Sequence, residues 1–155
     1  MSHKRLLIIA HAPSHNTQLL RDALLAGARA PDIGDVAARA LSPFETGPED
    51  VFAADAILLL TPENLGYMSG ALKDFFDRCY YPCLERTQGR PYALAVRAGS
   101  DGTGALRGVQ TIVTGLRWRA IQDPLVCRGD WRPEFAEQCR ELGMLMAAGL
   151  DAGVF

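Results

Sequence analysis

Short apolar runs alternate along this chain with segments of helical periodicity. Three runs are continuous: RLLIIA at 5–10, DAILLLT at 55–61 and PYALAVR at 91–97. A continuous apolar run is typical of a strand covered on both faces, as strands are in a parallel sheet between helices. The pattern therefore predicts βα units around a parallel sheet.

Two weaker runs complete the predicted sheet. VAARAL at 36–41 is one strand, and RAIQDPLVC at 119–127 is the last, with Pro124 suited to an edge position. The stretch 42–51, between the strand at 36–41 and the strand at 55–61, is expected to be loop with at most one short helical turn. The prediction is a five-stranded parallel sheet with helices on both faces, in a three-layer α/β sandwich.

The helices are predicted from apolar spacing and capping residues. Ser69 can cap a helix whose core stripe is Leu72, Phe75, Phe76, Cys79 and Tyr80, and Pro82 should end or kink it. Three further helices are predicted. The first carries apolar residues from 19 to 24 and ends near 27, the second runs from the glycine-rich 98–104 to about 116, and the third covers 133–149.

Composition narrows the function classes. The 155 residues fit one domain, and a net charge of −2 argues against a nucleic-acid partner. The N-terminal apolar run Leu6 to Ala10 is too short for a signal segment or membrane span, so a cytoplasmic protein is expected. The four cysteines form no CxxC pair and the histidines all precede residue 16, so no metal site is predicted and the thiols should be reduced.

Three unusual loops follow the first, third and fourth predicted strands, at 11–17, 62–69 and 98–104. Ligands of open parallel sheets collect beyond the carboxyl ends of the strands, near the point where the strand order reverses. Because all three loops fall on that edge, we expect them to form one binding site.

The first loop, HAPSHNT at 11–17, offers hydroxyls and free backbone N–H groups at a helix start. Ser14, Asn16 and Thr17 suit a phosphate, and His11 is a candidate contact. The loop contains no lysine or arginine, so the helix dipole and the N–H groups would carry the neutralisation. Plain N-capping by Ser14 or Asn16 is the alternative interpretation.

The second loop, 62–69, is longer than a strand-to-helix connector needs to be, and it contains an aromatic residue and a glycine where polar turn residues would suffice. Pro62, Asn64, Gly66 and Tyr67 could wrap a planar ring system, with Leu65, Tyr67 and Met68 as apolar contact surface.

The third loop, AGSDGTG, has glycines spaced GxxGxG rather than GxGxxG, so it is a poor dinucleotide fingerprint. Its small residues would let the backbone approach a flat ligand and direct N–H groups at its acceptors, or would simply form a tight turn. Together the three loops meet the requirements of a mononucleotide with a large aromatic base.

With these three loops, the chain resembles the flavodoxin-like NAD(P)H-dependent FMN reductases and quinone reductases. TPENLGYMSGALKDFFD at 61–77 is similar to the family's TPEYNGS.PGALKN..D stretch. HAPSHNTQLL resembles its phosphate loop, and AGSDGTGALRGVQTI stands where its third flavin loop lies. The chain differs in having Asn64-Leu65-Gly66 where many relatives have Tyr-Asn-Gly, and in lacking an arginine in the first loop.

The resemblance implies one flavodoxin-like domain over 1–155, with strand order 2-1-3-4-5 and FMN as cofactor. The first loop would hold the phosphate, the second would line the isoalloxazine, and the third would lie near its pyrimidine end. The implied cofactor-binding residues are His11, Ser14, Asn16, Thr17, Pro62, Glu63, Asn64, Leu65, Gly66, Tyr67, Met68, Ala98, Gly99, Ser100 and Gly102.

The implied activity is hydride transfer from NAD(P)H through FMN to a quinone or another small acceptor. No side chain is expected to be catalytic, because the flavin carries the bond chemistry. Glu63, Lys73 and Asp101 are interpreted as structural or solvated charges. A flavodoxin-type one-electron carrier and a flavin-free interaction module of the same fold are the alternatives, and a homodimer through the Tyr80-Tyr81 region is possible.

Overall fold

The computed structural model describes residues 3–155 and contains a parallel sheet between two helical layers. The strands are β1 (Lys4–Ala10), β2 (Val36–Leu41), β3 (Ala56–Asn64), β4 (Tyr67–Met68), β5 (Pro91–Ala98), β6 (Arg119–Ala120) and β7 (Leu125–Arg128). The helices are α1 (His15–Ala28), α2 (Pro48–Ala53), α3 (Gly70–Cys83), α4 (Thr103–Gly115) and α5 (Glu134–Ala152). The sheet order is β2-β1-β3-β5, with β6 and β7 both beside β5 and parallel to it. This arrangement confirms the predicted fold class.

Strand side chains alternate between two cores. Leu7 and Ile9 of β1 pack in the core beneath α3 and α4, whereas Leu6 and Ile8 pack in the core beneath α1 and α5. All four are at most 2% exposed. Burial on both faces explains why the predicted central strands are apolar without alternation.

The sheet has two more strands than predicted, because the short strand β4 pairs with β3 and the last predicted strand is divided. The expected strand 119–127 is two short pieces, β6 and β7, separated by residues 121–124. Pro124 has no N–H to donate to a ladder, which accounts for the break on this side of β5. Pro124 therefore lies at the sheet edge, as the sequence indicates.

The segment after β2 contains more helix than predicted. Ser42 and Glu45 form a reciprocal capping box around the 3₁₀ turn Pro43–Glu45. Asp50 accepts a hydrogen bond from the Gly47 N–H at the start of α2. A proline stands in the first turn of each element, a position that tolerates its missing donor.

Helix α3 begins as predicted, because the Ser69 hydroxyl accepts a hydrogen bond from the Leu72 N–H at 3.1 Å. Pro82 lies in its last turn, and the helix ends at Cys83. No helix within residues 3–155 combines the length and apolar character needed to cross a bilayer. In the same residues, no three His, Cys, Asp or Glu side chains converge as metal ligands.

Candidate functional site

The three segments singled out in the sequence follow three neighbouring strands. β3 lies between β1 and β5 and is parallel to both. The first loop leaves β1 beside β3, since the His11 N–H donates to the Leu60 carbonyl at 3.0 Å. The carboxyl ends of β1, β3 and β5 therefore place the segments along one edge of the sheet.

The first loop ends in a capping box that begins α1. The Ser14 hydroxyl accepts a hydrogen bond from the Thr17 N–H at 3.1 Å, and the Thr17 hydroxyl accepts from the Ser14 N–H at 3.0 Å. Thr17 is 3% exposed, and its hydroxyl donates to the Ser14 carbonyl. Both hydroxyls are therefore engaged in starting the helix, and residues 15–17 are its first turn rather than loop.

The capping box leaves two backbone donors free. Within the described residues, the N–H groups of His15 and Asn16 have no hydrogen-bond partner. Both belong to the first helical turn, where N–H groups and the helix dipole favour an anion. The first loop can therefore bind an anion through its backbone.

His11 stands where the first loop leaves the sheet. Its Nδ1 is buried and has no partner among the described residues. Desolvation by burial lowers the pKa of His11, so the neutral ring is favoured. A buried ring nitrogen without a partner is uncommon in a folded protein and is compatible with a bound ligand completing its environment.

Arg21 brings a cation close to the first loop. It lines a cavity of about 470 Å³ together with His11, Pro13 and, on the β2 side, Phe44 and Glu45. Its Nε also contacts a carboxylate oxygen of Asp22 at 2.9 Å. Arg21, from the second turn of α1, is thus a positive charge next to a loop that contains no arginine or lysine of its own.

The second segment is a tight β-hairpin rather than an open loop. β3 continues to Asn64, four residues past the Leu60 level, and Glu63 and Asn64 pair with Met68 and Tyr67. The two turn residues, Leu65 and Gly66, have φ of 52° and 75°. Positive φ at both central positions is the mark of a two-residue hairpin turn. We call residues 63–68 the hairpin.

Leu65 is an unusual residue for the tip of this turn. A branched side chain disfavours positive φ, and Leu65 is also fully exposed, at 106% of its reference area. The backbone at Leu65 is therefore strained, and its apolar side chain is exposed at the edge of the sheet. Such strain is concentrated at ligand-binding sites.

Two glycines of α4 allow the hairpin to approach closely. A Cβ at Gly104 would overlap the Gly66 carbonyl, lying 2.8 Å from its carbon. A Cβ at Gly108 would collide with the Tyr67 ring, lying 3.0 Å from Cζ. Tyr67 is therefore packed against α4, with 39% of its surface exposed.

The third loop is held by charged side chains. Oε1 of Glu63 accepts the Ser100 N–H at 2.9 Å, and Oε2 accepts the Gly102 N–H at 2.8 Å. Arg128 donates to the Asp101 carbonyl at 2.8 Å, and Arg97 donates to the Ala98 carbonyl at 2.9 Å. The carboxylate of Glu63 thus binds two backbone N–H groups of the loop, and the two arginines bind two of its backbone carbonyls.

This arrangement changes what the third loop can offer a ligand. The N–H groups of Ser100 and Gly102 are occupied, whereas those of Gly99 and Asp101 have no hydrogen bond within residues 3–155. Gly102 needs its glycine, because its φ is 74° and an added Cβ would lie 2.9 Å from a Val126 methyl. The loop can approach a flat ligand mainly through its backbone.

Lys73 and Asp101 each form a hydrogen bond with a residue close in sequence. The hydrogen bond to Asp77, at 2.6 Å, raises the pKa of Lys73. The hydrogen bond from the Thr103 N–H, at 2.9 Å, lowers the pKa of Asp101. Each group is thereby held in its charged form, which does not suit proton transfer near neutral pH.

The predicted residues thus lie along one edge of the sheet, but only some of them have groups available to a ligand. Those with exposed or backbone groups available are Asn16, Asn64, Leu65, Gly66, Tyr67, Gly99 and Ser100, while Pro62, Met68, Ala98 and Gly102 are buried beneath them. Sequence reasoning missed Arg21 and Gly108, and it missed the packing of Gly104 against the hairpin. Arg21 could have been found from its position one turn after Thr17, since long helical side chains lean toward the helix N-terminus.

The residues present fit an FMN. The free N–H groups of His15 and Asn16 suit a phosphate, and the buried Nδ1 of His11, in the same loop, has no partner among the described residues. The exposed Leu65 and the small residues of the third loop suit a flat ring.

Comparison with known proteins agrees with this geometry. The family model described as NADPH-dependent FMN reductase matches residues 39–131, which is more than half of the chain. Among solved structures, a flavodoxin from the domain Archaea is 17% identical with a TM-score of 0.78, covering 94% of this chain and 98% of that one. The flavodoxin of Megasphaera elsdenii is 19% identical with a TM-score of 0.74, covering 92% and 98%.

A third solved structure is that of the flavodoxin, WrbA-like protein from Agrobacterium tumefaciens. It is 15% identical with a TM-score of 0.71, covering 97% of this chain and 99% of that one. At such identities these structures establish the flavodoxin-like fold, whereas the family match identifies the oxidoreductase class and its flavin. The chain belongs to the NADPH-dependent FMN reductase family.

Proposed function

We propose that this protein binds FMN and transfers hydride from NADH or NADPH, through the flavin, to a quinone or another small acceptor. The observation that carries the proposal is the pair of free N–H groups at the start of α1, on the same sheet edge as the hairpin and third loop. The chain's membership of the FMN reductase family supports it.

The first loop would hold the phosphate. The N–H groups of His15 and Asn16 would donate to phosphate oxygens, and the dipole of α1 would add to the attraction. The capping box between Ser14 and Thr17 keeps these donors oriented before the cofactor arrives. Arg21 would supply a nearby positive charge without entering the loop.

The hairpin and third loop would hold the ring. Leu65 and the exposed part of Tyr67 would contact apolar ring edges, and the small residues Gly99 and Ser100 would let the backbone approach. The packing of Tyr67 against Gly108 directs that ring toward α4. The third loop contains no aromatic residue, so it leaves room for a nicotinamide to stack.

When bound, FMN supplies the hydride acceptor and the electrons for the second substrate, so the protein's part is to bind, orient and exclude water. We therefore assign no catalytic side chain. A nicotinamide must approach to about 3–3.5 Å for transfer, and an uncovered face permits this approach.

Anaerobic mixing of the FMN-loaded protein with each nicotinamide tests the proposal. We expect NADH, NADPH or both to bleach the flavin absorbance within seconds, and an added quinone to restore it. If neither nucleotide bleaches a flavin that dithionite does bleach, the hydride-transfer proposal is wrong, and a one-electron carrier becomes the better interpretation.

We also propose a homodimer formed through the surface of α3 and α4. Tyr81 is 78% exposed, and beside it a groove of about 320 Å³ is lined by Phe76, Tyr80 and Ile112, with the Lys73–Asp77 ion pair at its rim. We take this exposed aromatic side chain, beside a partly apolar groove, as the surface that a second copy would cover. A dimer by light scattering that becomes a monomer in Tyr81→Glu supports the assignment, whereas a wild-type monomer contradicts it.

A further inference from the structure

We propose that Glu63 is a positioning residue, which joins the hairpin and the third loop into a single preformed surface for the flavin ring. This inference rests on the proposed function, because it concerns the same binding edge. The role differs from that of a cofactor ligand, since both carboxylate oxygens already accept backbone N–H groups of the protein.

The geometry shows why a carboxylate is required. Ser100 and Gly102 each present an N–H donor, and Glu63 meets them with separate oxygens at 2.9 and 2.8 Å. Only an ionised carboxylate of this length offers two acceptors and no donor. A glutamine would keep one acceptor but would direct an NH₂ group at the second N–H.

Glu63 itself is held in place by the hairpin. It pairs with Met68 in the antiparallel ladder, and Met68 is 2% exposed. Beyond it, the hairpin tip lies against Gly104 and Gly108 of α4. The third loop leads directly into α4, so Glu63 closes a ring of contacts among hairpin, loop and helix.

The negative charge also has a favourable position. Gly102 is the residue immediately before α4, so Glu63 places its carboxylate at the N-terminus of that helix. The helix dipole stabilises an anion there. The third loop can therefore be rigid without a side chain of its own to cap α4, since Gly102 provides none.

The binding edge contains two kinds of residue. The exposed Leu65 and the backbone of Gly99 are available to a ligand, whereas Glu63 acts through the backbone of Ser100 and Gly102. Loss of Glu63 should loosen the third loop and leave the phosphate donors of α1 unchanged.

Glu63→Gln and Glu63→Ala test this role, with Glu49→Gln as the matched control. Glu49 lies in the first turn of helix α2, so its charge is likewise near a helix N-terminus, and it is exposed. The control therefore removes a charge from a helix N-terminus without breaking a link between segments.

Amide exchange measured on the FMN-free proteins is the first readout. We expect exchange at both Ser100 and Gly102 to accelerate by at least about tenfold in Glu63→Ala, exchange at one or both of them to accelerate as much in Glu63→Gln, and exchange at both to remain unchanged in the Glu49 variant. Unchanged exchange in the Glu63 variants overturns the inference, whatever the cofactor result.

Titration with FMN and with riboflavin is the second readout. Because Glu63 acts at the ring end, its loss should weaken both flavins by the same factor, at least about tenfold. The visible absorption band of bound FMN should also change shape, which a loss of overall stability alone would not cause. Wild-type affinity with an unchanged band overturns the inference, whereas a wild-type protein that binds neither flavin refutes the proposed function itself.

Discussion

The first loop and the hairpin with its third loop lie on the same sheet edge but are built in opposite ways. The first loop is completed by a local capping box between residues three apart, and its useful groups are backbone N–H groups left free. The hairpin and third loop are held by contacts between residues distant in sequence, such as Glu63 to Gly102. The family match covers the second region but not the first.

This difference separates two tasks of a cofactor site. A phosphate needs donors and positive potential, which any well-capped helix start can provide. A flat ring needs a surface of defined shape, which two independent loops provide only if something fixes them together. Local sequence is therefore enough for the first task, and tertiary contacts are needed for the second.

The largest effect should come from placing a negative charge at the first loop. Asn16→Glu puts a carboxylate beside the free N–H groups, where it would compete with the phosphate. We expect FMN affinity to fall by about 100-fold or more, equivalent to about 2.7 kcal/mol. Stability should be retained, since an acidic residue in the first turn of a helix is favourable by about 0.3–1 kcal/mol.

Flavin titration and thermal unfolding of Asn16→Glu check this prediction. Asn16→Gln is its matched control, because glutamine has the size of glutamate without the charge. Retention of wild-type FMN affinity in the folded glutamate variant would show that the phosphate lies elsewhere.

A second prediction tests the close packing of the hairpin. Gly104→Ala introduces a methyl group into the space of the Gly66 carbonyl, so hairpin and α4 must separate. Overpacking of this kind costs about 1–3 kcal/mol in the free energy of unfolding. Riboflavin and FMN should both bind more weakly, because the ring surface is displaced.

Gly70→Ala is the control for this packing. Gly70 begins α3, and a Cβ there would meet nothing within 4 Å. Alanine is preferred over glycine in helices by about 0.5–1 kcal/mol, so this variant should be as stable as wild type or more stable. Denaturant unfolding of both variants decides the prediction, and equal stability would contradict it.

The smallest predicted effect concerns the strained turn. Leu65→Asn places a residue that accepts positive φ at the tip, and should raise the free energy of unfolding by about 1 kcal/mol. Flavin or acceptor binding should weaken at the same time, because the apolar contact is lost. Leu65→Ala keeps the strain but removes the contact, so a stability gain in the alanine variant equal to that in the asparagine variant would refute the strain interpretation.

Much of the fold was predictable because its signals are local. The apolar runs indicated the buried strands β1, β3 and β5, and Ser69 indicated the start of α3, as observed, whereas the strand order was implied by the family resemblance. The division of the last strand was missed, although Pro124 was recognised as an edge residue. How far a ladder continues past a proline depends on the neighbouring strand, which a sequence window does not contain.

The candidate site was predictable in position but less so in the duties of its residues. A tight hairpin was mistaken for a wrapping loop, because the turn is built from Leu65-Gly66 rather than from the usual Asn-Gly. The roles of Glu63, Gly104 and Gly108 depend on contacts between segments, so the order of residues alone does not indicate them.

Comparison of FMN with riboflavin tests most directly whether a phosphate binds at the start of α1. We propose that this edge of the sheet is a flavin site whose phosphate is held by the backbone there. Charge-assisted hydrogen bonds contribute about 1.5–3 kcal/mol each, so two of them predict that FMN binds at least about 100-fold more tightly than riboflavin. Equal affinity of the purified, flavin-free protein for the two flavins would contradict the claim.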